Sequence, residues 1–502
     1  MATISVEHLT FSYPGGEDVF SDVSVQLETG WRLGLVGRNG RGKTTFLRLL
    51  LGELPHGGSI AVPVPLAYFP RPVADRAQLT GTLLRSLCPE AEDWMVEREL
   101  GRLAADPAVL ERPFGTLSGG EQTKALLAAL FLREGCFPLI DEPTNHLDDR
   151  GRAQVAAYLR RQRGFLLVSH DRRFLDGCVD HILALNRTGF ELQSGNFSSW
   201  QENFDRRQQF ELARNERLRK DARRLQEAAR RTAVWSDRKE REKSGAADKG
   251  FVGHRAAKVM KRAKSLEARR QAAAEEKAGL LRDLETAEAL KLHPLDYRAD
   301  ILAVLTDAAP CYGGRPVCAP VTFTLRRGGR VALSGPNGSG KSSLLRLLAG
   351  EPVAHTGTVT TGSGLTISYV PQETAGLRGA LTDYAEACGV DGTLFRAILR
   401  KLDFSRDDFT TDLADLSAGQ KKKVLLARSL CQQAHLYVWD EPLNYIDVYS
   451  RLQIETLIRE FAPTMVFVEH DAAFREAVAT ACVRLEPPEF PAKDCISPAD
   501  VV

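Results

Sequence analysis

WRLGLVGRNGRGKTTFLRLL, residues 31–50, decides the fold class. WRLGLV (31–36) reads as a buried strand, GRNGRGKT (37–44) is a glycine-rich loop, and an amphipathic helix comes next. Strand, glycine-rich loop and helix form the context in which G-x-x-x-x-G-K-[ST] binds phosphate. The loop's backbone N–H groups and the helix N-terminus make a ready anion site. The candidate phosphate-binding residues are therefore Gly37, Arg38, Asn39, Gly40, Arg41, Gly42, Lys43, Thr44 and Thr45. Lys43 would reach the terminal phosphates and Thr44 would hold a Mg²⁺ ion. The plain alternative, a glycine turn that only caps a helix, leaves the motifs downstream of residue 50 unexplained.

Upstream, residues 3–7 and 22–27 alternate like strands. Downstream, LSGGEQ (117–122) leads into a helical pattern, FPLIDEP (137–143) is an apolar strand ending in two carboxylates, and FLLVSHD (165–171) is a buried strand ending in a histidine. The series then recurs as GPNGSGKS (335–342), LSAGQ (416–420), LYVWDEP (436–442) and VFVEHD (466–471). The offsets are nearly constant: 298 from Lys43 to Lys341, 299 from Ser118 to Ser417 and from Glu142 to Glu441, and 300 from His170 to His470. A duplicated domain is the economical account. The second loop adds Gly335, Pro336, Asn337, Gly338, Ser339, Gly340, Lys341, Ser342 and Ser343 as phosphate-binding candidates.

Asp141 and Asp440 end buried strands, where an ionised carboxylate needs a cation; Mg²⁺ shared with Thr44 or Ser342 would supply it. Glu142 and Glu441 are the candidate general bases that orient an attacking water. Ser118-Gly119-Gly120 and Ser417-Ala418-Gly419 start helices and on their own would pass for serine N-caps.

These motifs in this order resemble the ABC-type ATPases. Two such domains on one chain, joined by a long charged linker, resemble the ABC-F family, and the resemblance covers essentially the whole chain. DKGFVGHRAAKVMKRAK (248–264) and WDEPLNYID (439–447) resemble most the antibiotic-resistance, ribosome-protecting branch. The resemblance implies an α/β fold with two tandem ABC-type P-loop ATPase domains, residues 1–198 and 295–502, joined by an α-helical hairpin linker, 199–294. It implies ATP and Mg²⁺ as cofactors, Glu142, Glu441, His170 and His470 as catalytic residues, and Gln372 as a Mg²⁺- and water-sensing residue. It also implies that Ser118, Gly119 and Gly120 close over nucleotide held by Lys341, and Ser417, Ala418 and Gly419 over nucleotide held by Lys43. Arg71 stands where the first copy should carry its glutamine, which counts against that copy's hydrolysis or coupling; because Glu142 and His170 are intact, both sites are still read as hydrolysing, at unequal rates. Tyr13 and Tyr312 are candidates to stack on adenine, with a packed aromatic at a strand end as the other reading.

Between the repeats, Ser199 to Lys243 contains neither Gly nor Pro and reads as one helix, with Ser198 or Ser199 and Gln201 or Glu202 as a capping-box start. SGAADKGFVG (244–253) is the expected tip, and a second helix is expected from His254 to about Leu292, stopped by Pro294. Residues 201–290 hold 24 Lys and Arg against 16 Asp and Glu, although the whole chain carries only +2. Arg255, Lys258, Lys261, Arg262 and Lys264 have no acid among them and suit a phosphate backbone. A solvated helical spacer is the alternative. At the tip, Lys249, Phe251 and Val252 are candidates to touch RNA, with Phe251 closing the hairpin on Trp235 as the other reading.

The nine cysteines include no CxxC pair, which points to reduced thiols. No apolar run approaches the roughly 20 residues of a membrane helix. The expectation is a cytoplasmic, monomeric chain whose two ATPase domains pair with each other, with the ribosome, through ribosomal RNA and tRNA, as its partner. In that reading it protects the ribosome from antibiotics at the peptidyl-transferase centre. A housekeeping translation factor and the ATPase pair of a membrane transporter are the rivals. Against the first, Leu51 to Phe114 is short for the extra arm such factors carry; against the second, a transporter pair needs only a short connector. DNA-repair ATPases would bring zinc-binding cysteine pairs.

Overall fold

The computed structural model describes residues 2–16, 18–145, 147–186, 189–243 and 290–488. In the first repeat a three-stranded antiparallel sheet places Thr3–Ser12 between Asp18–Glu28 and Gly57–Ala61. Behind it a six-stranded sheet runs Leu66–Phe69, Phe137–Asp141, Phe165–Val168, Arg32–Gly37, His181–Asn186, Gly189–Ser194. It is parallel except for its last pair. Phe165–Val168 is buried throughout and Phe137–Asp141 is buried up to its terminal carboxylate, the continuous apolar run of a parallel sheet covered on both faces. The expected strands at 3–7 and 22–27 are present and longer.

The second repeat repeats this plan. Ile301–Tyr312 is paired by Arg315–Pro316, Val321–Arg326 and His355–Thr361, and a parallel sheet runs Ile367–Val370, Leu436–Asp440, Met465–Val468, Arg330–Ser334, Ala481–Arg484. In both repeats the P-loop, the Asp-Glu pair and the histidine come after adjacent parallel strands at their carboxyl ends, where ligands bind in open α/β sheets.

Packing divides the chain into two compact units, Met1–Ser198 with Ala287–Val502, and Ser199–Thr286. The first linker helix spans Phe197–Lys243, 47 residues and about 70 Å at helical rise. It starts two residues before the expected Ser199. The reason is tertiary: the Ser198 backbone N–H and hydroxyl both donate to Asp176, so the local capping box is not what starts the helix. The expected run of the second helix to Leu292 is also corrected. Residues 290–297 are not helical, with Leu290 and Leu292 buried and Lys291 and His293 exposed, alternating along the segment. Both leucines pack into the helical core of the second repeat, with Phe395, Leu426 and Trp439. The expected tip at 244–253, and with it Lys249, Phe251, Val252, Arg255, Lys258, Lys261, Arg262 and Lys264, lies outside the described residues.

Cys88, Cys136, Cys178, Cys318, Cys388, Cys431 and Cys482 are free thiols, as expected. Cys311 is the exception and is disulfide-bonded. Because Leu292 fills the core of the second repeat, Leu292→Ala should destabilise that repeat by about 2–5 kcal/mol. Hydrogen exchange should then show lost protection in Leu436–Asp440 while Phe137–Asp141 keeps its own.

Candidate ATP sites

The P-loops are shaped by glycines that no other residue replaces without cost. Gly42 and Gly340 sit at φ 90° and 79°, and a Cβ there would lie 2.5 Å from Val19 and 2.6 Å from Val317. Each loop folds around its lysine. Lys43 Nζ donates to the carbonyls of Gly37 (2.8 Å) and Arg38 (3.1 Å), and Lys341 Nζ to those of Gly335 (2.8 Å) and Pro336 (2.9 Å). Burial lowers the pKa of both lysines, against neighbouring carboxylates that raise it. Tyr13 and Tyr312 stand exposed at the loops, their hydroxyls 3.0 Å from Thr45 Oγ1 and 2.7 Å from Ser343 Oγ.

Thr44 Oγ1 donates to Asp141 Oδ2 at 3.0 Å, and Tyr68 donates to the same oxygen at 3.2 Å. Ser342 bonds Asp440, whose buried Oδ1 has no hydrogen-bond partner. Burial pushes the Asp440 carboxyl up to about 6. An orphaned buried carboxylate oxygen beside a hydroxyl fits a hard cation such as Mg²⁺.

Glu142 and Glu441 hold φ of 48° and 46°, a left-handed conformation that costs non-glycine residues energy and clusters at functional sites. Their backbone N–H groups donate to Val168 (2.9 Å) and Val468 (3.0 Å), which pins the turn to the neighbouring strand.

The repeats face each other head to tail. Gly119 lines a cavity of about 460 Å³ together with Tyr312, Lys341, Gln372, Glu441 and His470. Across the other site, Asn39 Nδ2 donates to the Tyr445 carbonyl at 2.6 Å, and a Cβ on Gly419 would meet both. Ser118 and Ser417 complete capping boxes with Glu121 and Gln420, so the bland N-cap reading also holds; each signature helix is fixed at its start.

The two sites differ in detail. Glu441 accepts from Gln372 (2.9 Å) and Asn444 (2.5 Å) and lies 3.2 Å from His470 Nε2. These contacts outweigh burial and hold its carboxyl below the usual range. Glu142 Oε1 is buried without a hydrogen-bond partner, 3.4 Å from His170 Nε2. Burial and the adjacent Asp141 push Glu142 up to about 8, and burial together with Lys43 holds His170 well below the ordinary histidine value. Arg71 is exposed and lies beside Tyr68 and Arg133, so it does not reproduce the Gln372 contact.

Several contacts across the interface were not read from the sequence, including that of Arg38, which was a phosphate-binding candidate. Arg38 pairs with Asp403 at 2.5 Å and lies over the Tyr449 ring, where the second loop has Pro336. Asp149 meets His470 and Arg475 from across the interface, and Arg172 pairs with Glu455. The available signal was mismatch between aligned copies: Arg38 against Pro336, and Asp149 against Val448.

The ABC transporter family matches residues 20–145 and 318–444, about half of the chain in two copies. The chain belongs to the ABC transporter family. As an ABC protein it binds ATP and is an ATPase, and the ABC-F resemblance holds among its curated relatives. The ATP-binding protein Uup of Caulobacter vibrioides is 29% identical over 490 residues, 94% of this chain and 75% of that protein. The ribosome protection protein VmlR of Bacillus subtilis is 28% identical, covering 92% and 82%. The energy-dependent translational throttle protein EttA of Escherichia coli is 27% identical, covering 93% and 89%. The archaeal ribosome recycling factor aABCE1, solved with the stalk protein aP1, shares the tandem ABC fold at a TM-score of 0.62 and 22% identity, covering 93% of this chain and 85% of that one.

In this ABC chain the satisfied glutamate should turn over faster. Glu441→Gln should lower ATP hydrolysis by at least tenfold and Glu142→Gln by less than about threefold, since a positioned base contributes 10²–10⁴-fold where it acts. Steady-state phosphate release measures both, and equal losses would count against the asymmetry.

Proposed function

We propose that this chain is an ABC-F ATPase that binds the ribosome in its ATP-bound, closed form and protects it from antibiotics acting at the peptidyl-transferase centre. The observation that carries the reading is the combination of two head-to-tail ATP sites on one chain with a 47-residue helix between the repeats. The names of two relatives, a ribosome protection protein and a translational throttle protein, support a ribosomal partner. In this proposal residues 1–198 and 295–502 are the ATPase domains and 199–294 the linker. Its tip residues Lys249, Phe251 and Val252, and the basic run from Arg255 to Lys264, contact ribosomal RNA.

In each ATP site the P-loop N–H groups and Lys43 or Lys341 hold the phosphates. Tyr13 and Tyr312 stack on the base in this reading. Thr44 and Asp141 in one site, and Ser342, Gln372 and Asp440 in the other, would hold Mg²⁺, which when bound neutralises phosphate charge. Glu441 and Glu142 orient the attacking water and accept its proton, with His470 and His170 at their sides. Signature residues Ser118 to Gly120 and Ser417 to Gly419 close over the opposite nucleotide, so ATP joins the repeats and hydrolysis separates them. The protein works as a cytoplasmic monomer.

Particular features count against the two rivals. A transporter's ATPase pair, docked on separate membrane subunits, has no use for the long linker helix. Between Leu51 and Phe114 the helices Thr80–Leu87 and Asp93–Arg102 are short, with no projecting arm of the kind expected of a housekeeping factor.

Changing Glu142 and Glu441 together to Gln should leave ATP binding intact and trap the closed form. That double variant should co-sediment with ribosomes in ATP; failure to do so would remove the ribosomal partner. Expression of the unaltered chain in a susceptible bacterium should raise tolerance to drugs of the peptidyl-transferase centre. Ribosome binding without tolerance would leave the translation-factor reading.

A further inference from the structure

We infer that Asp149, carried by the first repeat, is a positioning residue for hydrolysis in the site built on the second P-loop, where it holds the His470 imidazole against Glu441 across the domain interface. This rests on the proposed reading of Glu441 and His470 as the catalytic pair.

Asp149 opens the helix Asp149–Arg160, and Asp148 caps that helix by accepting from Gly151 N–H at 2.8 Å, which fixes where the Asp149 carboxylate stands. One oxygen, Oδ1, lies 3.6 Å from His470 Nδ1; the other, Oδ2, is 2.7 Å from Arg475 Nη2. Arg475 is itself anchored, donating to the Glu469 carbonyl at 3.0 Å. The opposite ring nitrogen of His470, Nε2, lies 3.2 Å from Glu441 Oε1. The imidazole is thus held between two carboxylates, one from each repeat. That arrangement favours the doubly protonated ring, whose Nε2–H remains a donor towards Glu441 and the phosphate side. Against the burial that would lower it, contacts with Asp149 and Glu441 hold the His470 pKa above its ordinary value. Asp149 responds in kind: although burial opposes it, His470 and Arg475 draw its carboxyl down to about 2. His470 also lines both the 460 Å³ cavity and a second cleft of about 860 Å³ that contains Asp149 and Arg475, so the ring is the wall between them.

The other site keeps the histidine and glutamate but not their supports. Val448 stands where the second repeat would supply the carboxylate, Leu175 where the arginine would be, and Ser169 in place of Glu469. Asp447 of the second repeat acts on His170 by charge, but among the described residues that site has no aligned counterpart of the Asp149–Arg475 pair.

The test uses the full chain in a Glu142→Gln background, so that turnover reports the second P-loop. Asp149→Asn should lower kcat roughly tenfold, the scale on which supporting partners of catalytic ligands act, with KM for ATP unchanged within about twofold. Asp149→Glu should recover at least half of the loss. Arg173→Ala breaks a neighbouring ion pair across the same interface, Arg173 to Glu476 at 2.7 Å, and should leave kcat unchanged. The inference is overturned if Asp149→Asn keeps kcat within twofold, if only KM moves, or if Arg173→Ala costs as much as Asp149→Asn. If adding Glu441→Gln left turnover intact, the assignment of Glu441 itself would fall, a result distinct from failure at Asp149 alone.

Discussion

Every functional element of this chain depends on one constraint: two carboxylates must stand side by side at the end of a buried parallel strand. Asp141-Glu142 and Asp440-Glu441 cannot both remain charged there without help, because burial penalises ionised oxygen. The sheet offers little of that help, since its own hydrogen bonds are already used between strands. Compensation comes from the P-loop lysine and hydroxyl, which the parallel order delivers to the same edge. The left-handed turn at each glutamate is the backbone cost of presenting both carboxylates outward.

The two repeats meet the constraint differently. Around Glu441, Gln372, Asn444 and His470 complete the set of partners. Around Glu142 the set is incomplete, and the P-loop engages the opposite repeat instead, through Arg38 to Asp403 and Asn39 to Tyr445. The interface between the repeats is accordingly rich in ion pairs, among them Arg38–Asp403, Arg172–Glu455 and Asp149–Arg475. Charged contacts fix register and can be exchanged for water, which suits the opening proposed for this joint.

The fold and the ATP-site residues were legible in the sequence because they obey local rules. The strand before Gly37, the glycines of the loop and the Asp-Glu strand end carry their meaning within a few residues, and the duplication repeats it. The features that escaped depended on docking. Nothing near Ser198 in the chain says that Asp176 will take its hydroxyl. Leu290 and Leu292 continue an apparent helical pattern in the sequence, but the second repeat's core captures them in a segment that is not helical. Asp149 looks like one of several acidic residues at a helix start, and only the opposite repeat gives it His470. Arg71 was legible as a substitution, but its exposed placement beside Arg133 was not.

Trp439 sits one residue before Asp440, in the middle of this machinery. Its indole N–H donates to Ser429 Oγ at 3.0 Å, on the helix that begins at the signature, and Ser429 in turn lies 2.7 Å from Ser368 Oγ on the strand leading to Gln372. It is the one tryptophan between residues 295 and 502. The second repeat therefore carries a native fluorophore wired to three of its nucleotide-facing segments, so the emission of that ring is an intrinsic optical readout of how those segments move against one another.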